Sequence, residues 1–163
     1  MKVIFKNASL VFQAQAQIEW RNLTVSNCSV NSQSGAVNAD ADQSSPGSSS
    51  RYASPEYIEI ANEANFKIGV TGFSSATKLF LLYYDASKNY IGKVGDSWST
   101  VVPFTPGQAY NVFDDFDTFS HYESGTDVSV SKATLQANAK FFRVGVRNPT
   151  PLDAGSSVTI AVG

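Results

Sequence analysis

Six consecutive apolar residues from Leu79 to Tyr84 (LFLLYY) constrain this chain most, because a strand without alternation needs cover on both of its faces. Such a run fits the centre of a sheet, or a strand at an oligomer contact. Around it, short stretches rich in Val, Ile, Phe, Tyr and Thr recur between clusters of Gly, Asn, Asp and Ser. Helical periodicity is nearly absent, with Gln13 to Gln17 the one weak candidate. The pattern predicts strands from Val3 to Phe5 with Leu10 to Phe12, and from Ile18 to Val30 with a bulge near Arg21 and Asn22 where the alternation changes parity. Further strands are predicted over Tyr57 to Ile60, Phe66 to Val70, Leu79 to Tyr84, Tyr90 to Val94, Trp98 to Phe104, Val128 to Leu135, Phe141 to Val146 and Val158 to Val162. Spacings of roughly 8 to 12 residues favour an antiparallel sandwich over βαβ units.

At 163 residues the chain is the size of one domain, and 42% hydrophobic with 12% aromatic residues is enough apolar surface for a packed core. Residues 1–50 read as an N-terminal arm, a strand and a polar connection ending in SSPGSSS; residues 51–163 read as the sandwich. The arm either closes the protein's own sheet or adds to a neighbour's, with Val3, Ile4, Phe5, Leu10, Val11 and Phe12 as its interface residues. Phe141, Arg143 and Gly145 alternate with Phe142, Val144 and Val146, which places Arg143 at the surface or rim.

Twelve Lys and Arg against fourteen Asp and Glu give a net charge of −2, so nucleic acid is not an expected partner. Only 16% of residues are charged, while Ser, Thr and Asn make up roughly a quarter of the chain, a hydroxyl- and amide-rich surface. No apolar stretch approaches the roughly 18 residues of a membrane span. The opening MKVIFKNASLVFQ is broken by Lys6 and Asn7 before a signal-peptide core forms, and the single Cys28 cannot close an internal disulfide. The protein is therefore expected to be made, and initially to stay, in the cytoplasm.

His121 is the only histidine, and the motifs of serine hydrolases, zinc proteases, dithiol redox sites and phosphate loops are missing, so an enzyme and a cofactor are not expected. Asp114, Asp115 and Asp117 resemble a run of calcium ligands, but the spacing is not that of an EF-hand; a solvated acidic rim is the simpler reading, and no metal site is assigned. Sugar recognition needs an aromatic platform beside polar side chains. Candidates for it are Trp98, Tyr110, Asn111, Asp115, Asp117 and Tyr122. Trp98 serves equally well as core or interface filler, and Trp20 as packing. Residues 103–127 read as a long loop whose aromatics need burial on the sandwich or on a partner.

The segments SPEYIEIANEANFKIGV, LFLLYYDASKNYIGKV and LQANAKFFRVGVR resemble jelly-roll, carbohydrate-binding-module-like domains of phage and gut-bacterial proteins, over about two thirds of the chain from Ser54 to Val162. MKVIFKNASLVFQ is similar to the opening of short virion proteins of crAss-like and other Bacteroidota-infecting phages. The resemblance implies an all-β, jelly-roll-like antiparallel β-sandwich with an extended N-terminal arm. It further implies a virion component without catalytic activity: an auxiliary capsid (decoration) or head-fibre protein, homo-oligomeric, bound to the major capsid protein or other virion proteins. The alternative is a glycan-binding module of a phage tail or bacterial surface protein, with host surface glycans as partners.

Overall fold

The computed structural model describes residues 17–31, 33–39, 50–73, 76–95, 102–148 and 155–163. In chain order its strands are β1 (Arg21–Asn22), β2 (Ser26–Asn31), β3 (Ala36–Ala39), β4 (Ser50–Ala53), β5 (Ile58–Glu59), β6 (Asn65–Thr71) and β7 (Lys78–Tyr84). There follow β8 (Tyr90–Val94), β9 (Ala109–Asn111), β10 (Phe119–Glu123), β11 (Thr126–Val130), the helix α1 (Lys132–Asn138), β12 (Phe141–Asn148) and β13 (Ser157–Val162).

A small sheet runs β1-β13-β6-β9, and a large one runs β11-β10-β8-β7-β12-β4-β2-β3 with β5 beside β12; every pairing is antiparallel. Set aside the β2–β3 hairpin, the two-residue β5, and the β10–β11 hairpin with α1. The eight strands left then fall in the order first, eighth, third, sixth in one sheet and second, seventh, fourth, fifth in the other. That order is a jelly roll, two interlocked Greek keys.

Alternation along the strands builds the interior. Phe66 and Ile68 of β6 and Ile160 and Val162 of β13 meet Leu79, Leu81 and Tyr83 of β7 and Phe142, Val144 and Val146 of β12. The other side of β7 is covered too, which is why LFLLYY lacks polar positions. Phe80, Leu82 and Tyr84 lie in a second cluster with Cys28, Val37 and Ala53. β7 pairs with β12 from Phe141↔Tyr84 to Arg147↔Lys78, and Gly145 on β12 is as small as it is because a Cβ there would sit 2.5 Å from the Phe80 ring.

Several expectations change. Where a bulge was expected at Arg21 and Asn22, the chain crosses from the small sheet to the large one, β1 belonging to the first and β2 to the second. The polar stretch after Asn31 contains β3, so strands from the N-terminal side of residue 51 take part in both sheets. The strand expected from Val128 to Leu135 stops at Val130. Ser131 then caps α1 by accepting from the Thr134 N–H at 3.1 Å, and Leu135 is its one buried anchor. Residues 102–104 form no strand, although the Val102 carbonyl accepts from the Leu79 N–H at 3.1 Å.

Candidate functional site

The segment from Pro103 to Asp127, expected as a loop, is folded onto the sandwich. It carries β9 and β10; Phe113, Phe116 and Phe119 belong to the interior, and Phe104 and Tyr110 pack against it. Phe113 stacks on Tyr83 with ring centroids 5.4 Å apart, Phe116 stacks on Phe66 at 6.3 Å, and Phe119 meets Tyr83 edge-on at 6.0 Å. Burial pushes the Tyr83 phenol well above its ordinary pKa, and its hydroxyl donates to the Val112 carbonyl.

The structure brings Tyr110, Asn111 and Asp115 together at the β9 edge of the small sheet. Tyr110 is half-buried, its ring stacked on Phe66 at 5.7 Å and on Phe116 at 6.3 Å, and its hydroxyl accepts from the Thr105 N–H at 2.7 Å. A ring engaged in this way is packing rather than a sugar platform. The Asn111 side-chain oxygen accepts from the N–H groups of Phe113 (3.0 Å) and Asp114 (3.1 Å), an Asx turn, and Asp115 accepts from the Asn111 N–H. Asp117 is exposed nearby. Tyr122 belongs to the large sheet, on β10 opposite Asp127. His121 is likewise in β10 rather than in a loop, its ring 5.3 Å from that of Tyr90. Trp98 and the arm residues Val3, Ile4, Phe5, Leu10, Val11 and Phe12 lie outside the described residues. Among the described residues no three His, Cys, Asp or Glu side chains converge as a metal site, and no helix is long and apolar enough to cross a membrane.

The most unusual chemistry is on the outer face of the large sheet. Asn31 shapes the tip of the β2–β3 hairpin, its side-chain oxygen accepting from Gln33 (2.9 Å) and Ser34 (3.1 Å) N–H and its carbonyl from Gly35 N–H (2.7 Å). The hairpin lies back across the sheet. The Tyr84 hydroxyl donates to the Gly35 carbonyl, and a Cβ on Gly35, whose φ is +68°, would stand 2.5 Å from the Tyr90 ring. Burial raises the Tyr84 phenol to about 12, partly opposed by the neighbouring Arg143 cation.

Arg143, expected at the surface, is 7% exposed. Its guanidinium lies 3.8 Å from the Tyr57 ring centroid and 5.4 Å from that of Tyr84, and its Nη2 donates to the Pro55 carbonyl at 2.7 Å. Lys88 reaches the same Tyr57 ring at 4.9 Å. Lys93, only 2% exposed, pairs with Asp127 on β11 at 2.9 Å. Alternation along β12 put Arg143 on the side away from Phe142, Val144 and Val146; the Tyr57 ring and the Pro55 carbonyl that enclose it could not be read from that alternation.

Comparison of the chain with protein-family models, with curated proteins and with solved structures finds no match.

Proposed function

We propose that the chain is a non-enzymatic structural component of a phage virion, an auxiliary capsid (decoration) or head-fibre protein. In this reading it assembles in the host cytoplasm and contacts the major capsid protein, other virion proteins and copies of itself. The observation that carries the reading is the jelly-roll strand order, an architecture used by viral capsid domains. Two of the sugar-site candidates, Tyr110 and Asn111, are engaged in packing and in a turn.

Lectin domains share the jelly-roll order, so the second reading is a glycan-binding module of a phage tail or bacterial surface protein. The test is to follow the chain by immunodetection through gradient-purified particles and to image those particles by cryo-EM. Regular copies on the shell or its fibres are expected. Absence from particles, together with glycan-array binding that is lost in Trp98→Ala or Tyr122→Ala, would replace the virion reading with the glycan one.

A further inference from the structure

Among the described residues, strand β11 is an edge of the large sheet. It pairs with β10 on one side over five residues, from Glu123↔Thr126 to Phe119↔Val130. Ser124 and Gly125, both with positive φ, make the two-residue turn between them. In such a hairpin the closing pair Glu123↔Thr126 exchanges both hydrogen bonds, and pairs then alternate. Thr126, Val128 and Val130 therefore turn their N–H and C=O groups toward β10, while Asp127 and Ser129 turn theirs outward.

Sheet edges are ordinarily blunted by shortness, charge or bulges. β1 has two residues, and its Arg21 lies 2.8 Å from Glu56 and 2.6 Å from Glu63; β9 has three residues, with its Asn111 N–H held by Asp115. β11 is longer and rich in β-branched residues, and from Thr126 to Ser129 it is exposed. Val128 is 41% exposed, one of two large hydrophobics so exposed among the described residues. The one charge on the strand that would repel a partner, Asp127, is already neutralised by the buried Lys93 at 2.9 Å.

We infer that β11 pairs antiparallel with β11 of a second copy about a two-fold axis through Val128, joining the two large sheets into one. The register is self-complementary. Val128 faces Val128 of the second copy in a close non-hydrogen-bonded pair, Asp127 faces Ser129, and Thr126 faces Val130, so no like charges stand directly opposite each other. Asp127 and Ser129 of each copy then exchange hydrogen bonds through outward groups that no strand among the described residues pairs with. This inference goes beyond the virion reading and does not depend on it.

The test is sedimentation of the full chain from about 5 to about 500 µM, the range suited to an interface under about 1,200 Å². Concentration-dependent dimer formation is expected, with hydrogen exchange slowed at the Asp127 and Ser129 amides as dimer forms. Ser129→Pro removes an outward donor without touching the β10–β11 ladder, and Val128→Lys sets like charges on the axis. Each should weaken dimerisation at least tenfold while far-UV circular dichroism stays unchanged, and Val128→Cys should give a disulfide between the two copies on mild oxidation. A monomer throughout the range, a dimer that survives both variants, or a dimer whose Asp127 and Ser129 amides stay unprotected overturns the inference.

Discussion

The two faces of β7 are equally buried but held by different chemistry. Toward the small sheet, Leu79, Leu81 and Tyr83 meet Phe66, Phe142, Val144 and Ile160, side chains that gain by leaving water and ask for little in return. On the other face, Phe80, Leu82 and Tyr84 are roofed by a hairpin whose contributions include Cys28 and Val37, and the cations Arg143 and Lys93 are buried alongside. A buried cation loses hydration, so it persists only where aromatic faces, carbonyls or a carboxylate replace water. The inner face should therefore stabilise the whole fold, and the outer face should hold one local element in place.

The largest effect that would sharpen this contrast is Phe66→Ala. Phe66 is fully buried, stacked with Tyr110 and Phe116 and tilted against Phe142, so about 3–5 kcal/mol of global stability should be lost. Denaturant melts should show the midpoint fall with the slope unchanged; a loss under about 1 kcal/mol would mean that the interior is not where the fold is decided. Next comes Gly35→Ala, which forces a Cβ against the Cβ, Cγ and Cδ2 atoms of Tyr90 in a left-handed conformation. About 1–3 kcal/mol is expected, with faster hydrogen exchange confined to β2 and β3 while β6 and β13 stay protected. If exchange quickens equally in β6 and β13, the two faces form one cooperative unit and the contrast fails.

Tyr84→Phe is smaller, about 0.5–1.5 kcal/mol, because it removes one hydrogen bond to Gly35 and leaves the ring in place. It carries a pH signature. With the folded phenol raised to about 12 by burial, the folded state holds its proton more tightly than the unfolded chain, whose phenol titrates near about 10. The contribution is full below about 10 and is lost as pH rises through about 12. Stability measured from pH 9 to 12 should fall less steeply in the phenylalanine variant, and parallel curves would show that Tyr84 does not report on the roof.

How much of this was legible depended on whether the stabilising partner lay nearby in sequence. LFLLYY demanded two covered faces on its own, and the alternation of Phe142, Val144 and Val146 marked the interior side of β12. The turn after β7 falls in one of the Asp-, Ser- and Asn-rich clusters between strands: Asp85 accepts from the Asn89 side chain (3.0 Å) and from the N–H groups of Asn89 (2.9 Å) and Ser87 (2.8 Å), and these hydrogen bonds hold its carboxyl below its usual pKa. The β2–β3 roof was not readable, because Cys28, Val30 and Val37 are diluted by Ser and Asn and find much of their burial on Phe80, Leu82 and Tyr84, more than forty positions away. α1 escaped because a helix of seven residues with one buried side chain leaves no periodicity to count. Tyr110 beside Asn111 and Asp115 was misleading for another reason: an aromatic next to amides and acids looks the same in a sugar site and in a packed Asx turn.

The smallest prediction supplies the baseline for the buried cations. Arg21 at the β1 edge forms hydrogen bonds to both Glu63 oxygens, at 2.8 and 2.6 Å, and contacts Glu56, but the Arg21 side chain is 45% exposed and water screens the pair. The hydrogen bonds from Arg21 hold the Glu63 carboxyl below its usual range, so the folded state binds that proton less readily than the unfolded chain. The contribution is present above the unfolded value near about 4.3 and is lost as pH falls through the lower folded one. Glu63→Gln should cost only about 0.2–1 kcal/mol at neutral pH, less in high salt, and should flatten the acid limb of the stability curve. Arg143→Met is the counterpart, removing a cation held between Tyr57 and Tyr84, and its effect should depend less on salt because the buried side chain is screened less. Equal salt dependence in the two variants would mean that the hairpin roof admits water, and the distinction between a dry outer face and an ordinary surface would disappear.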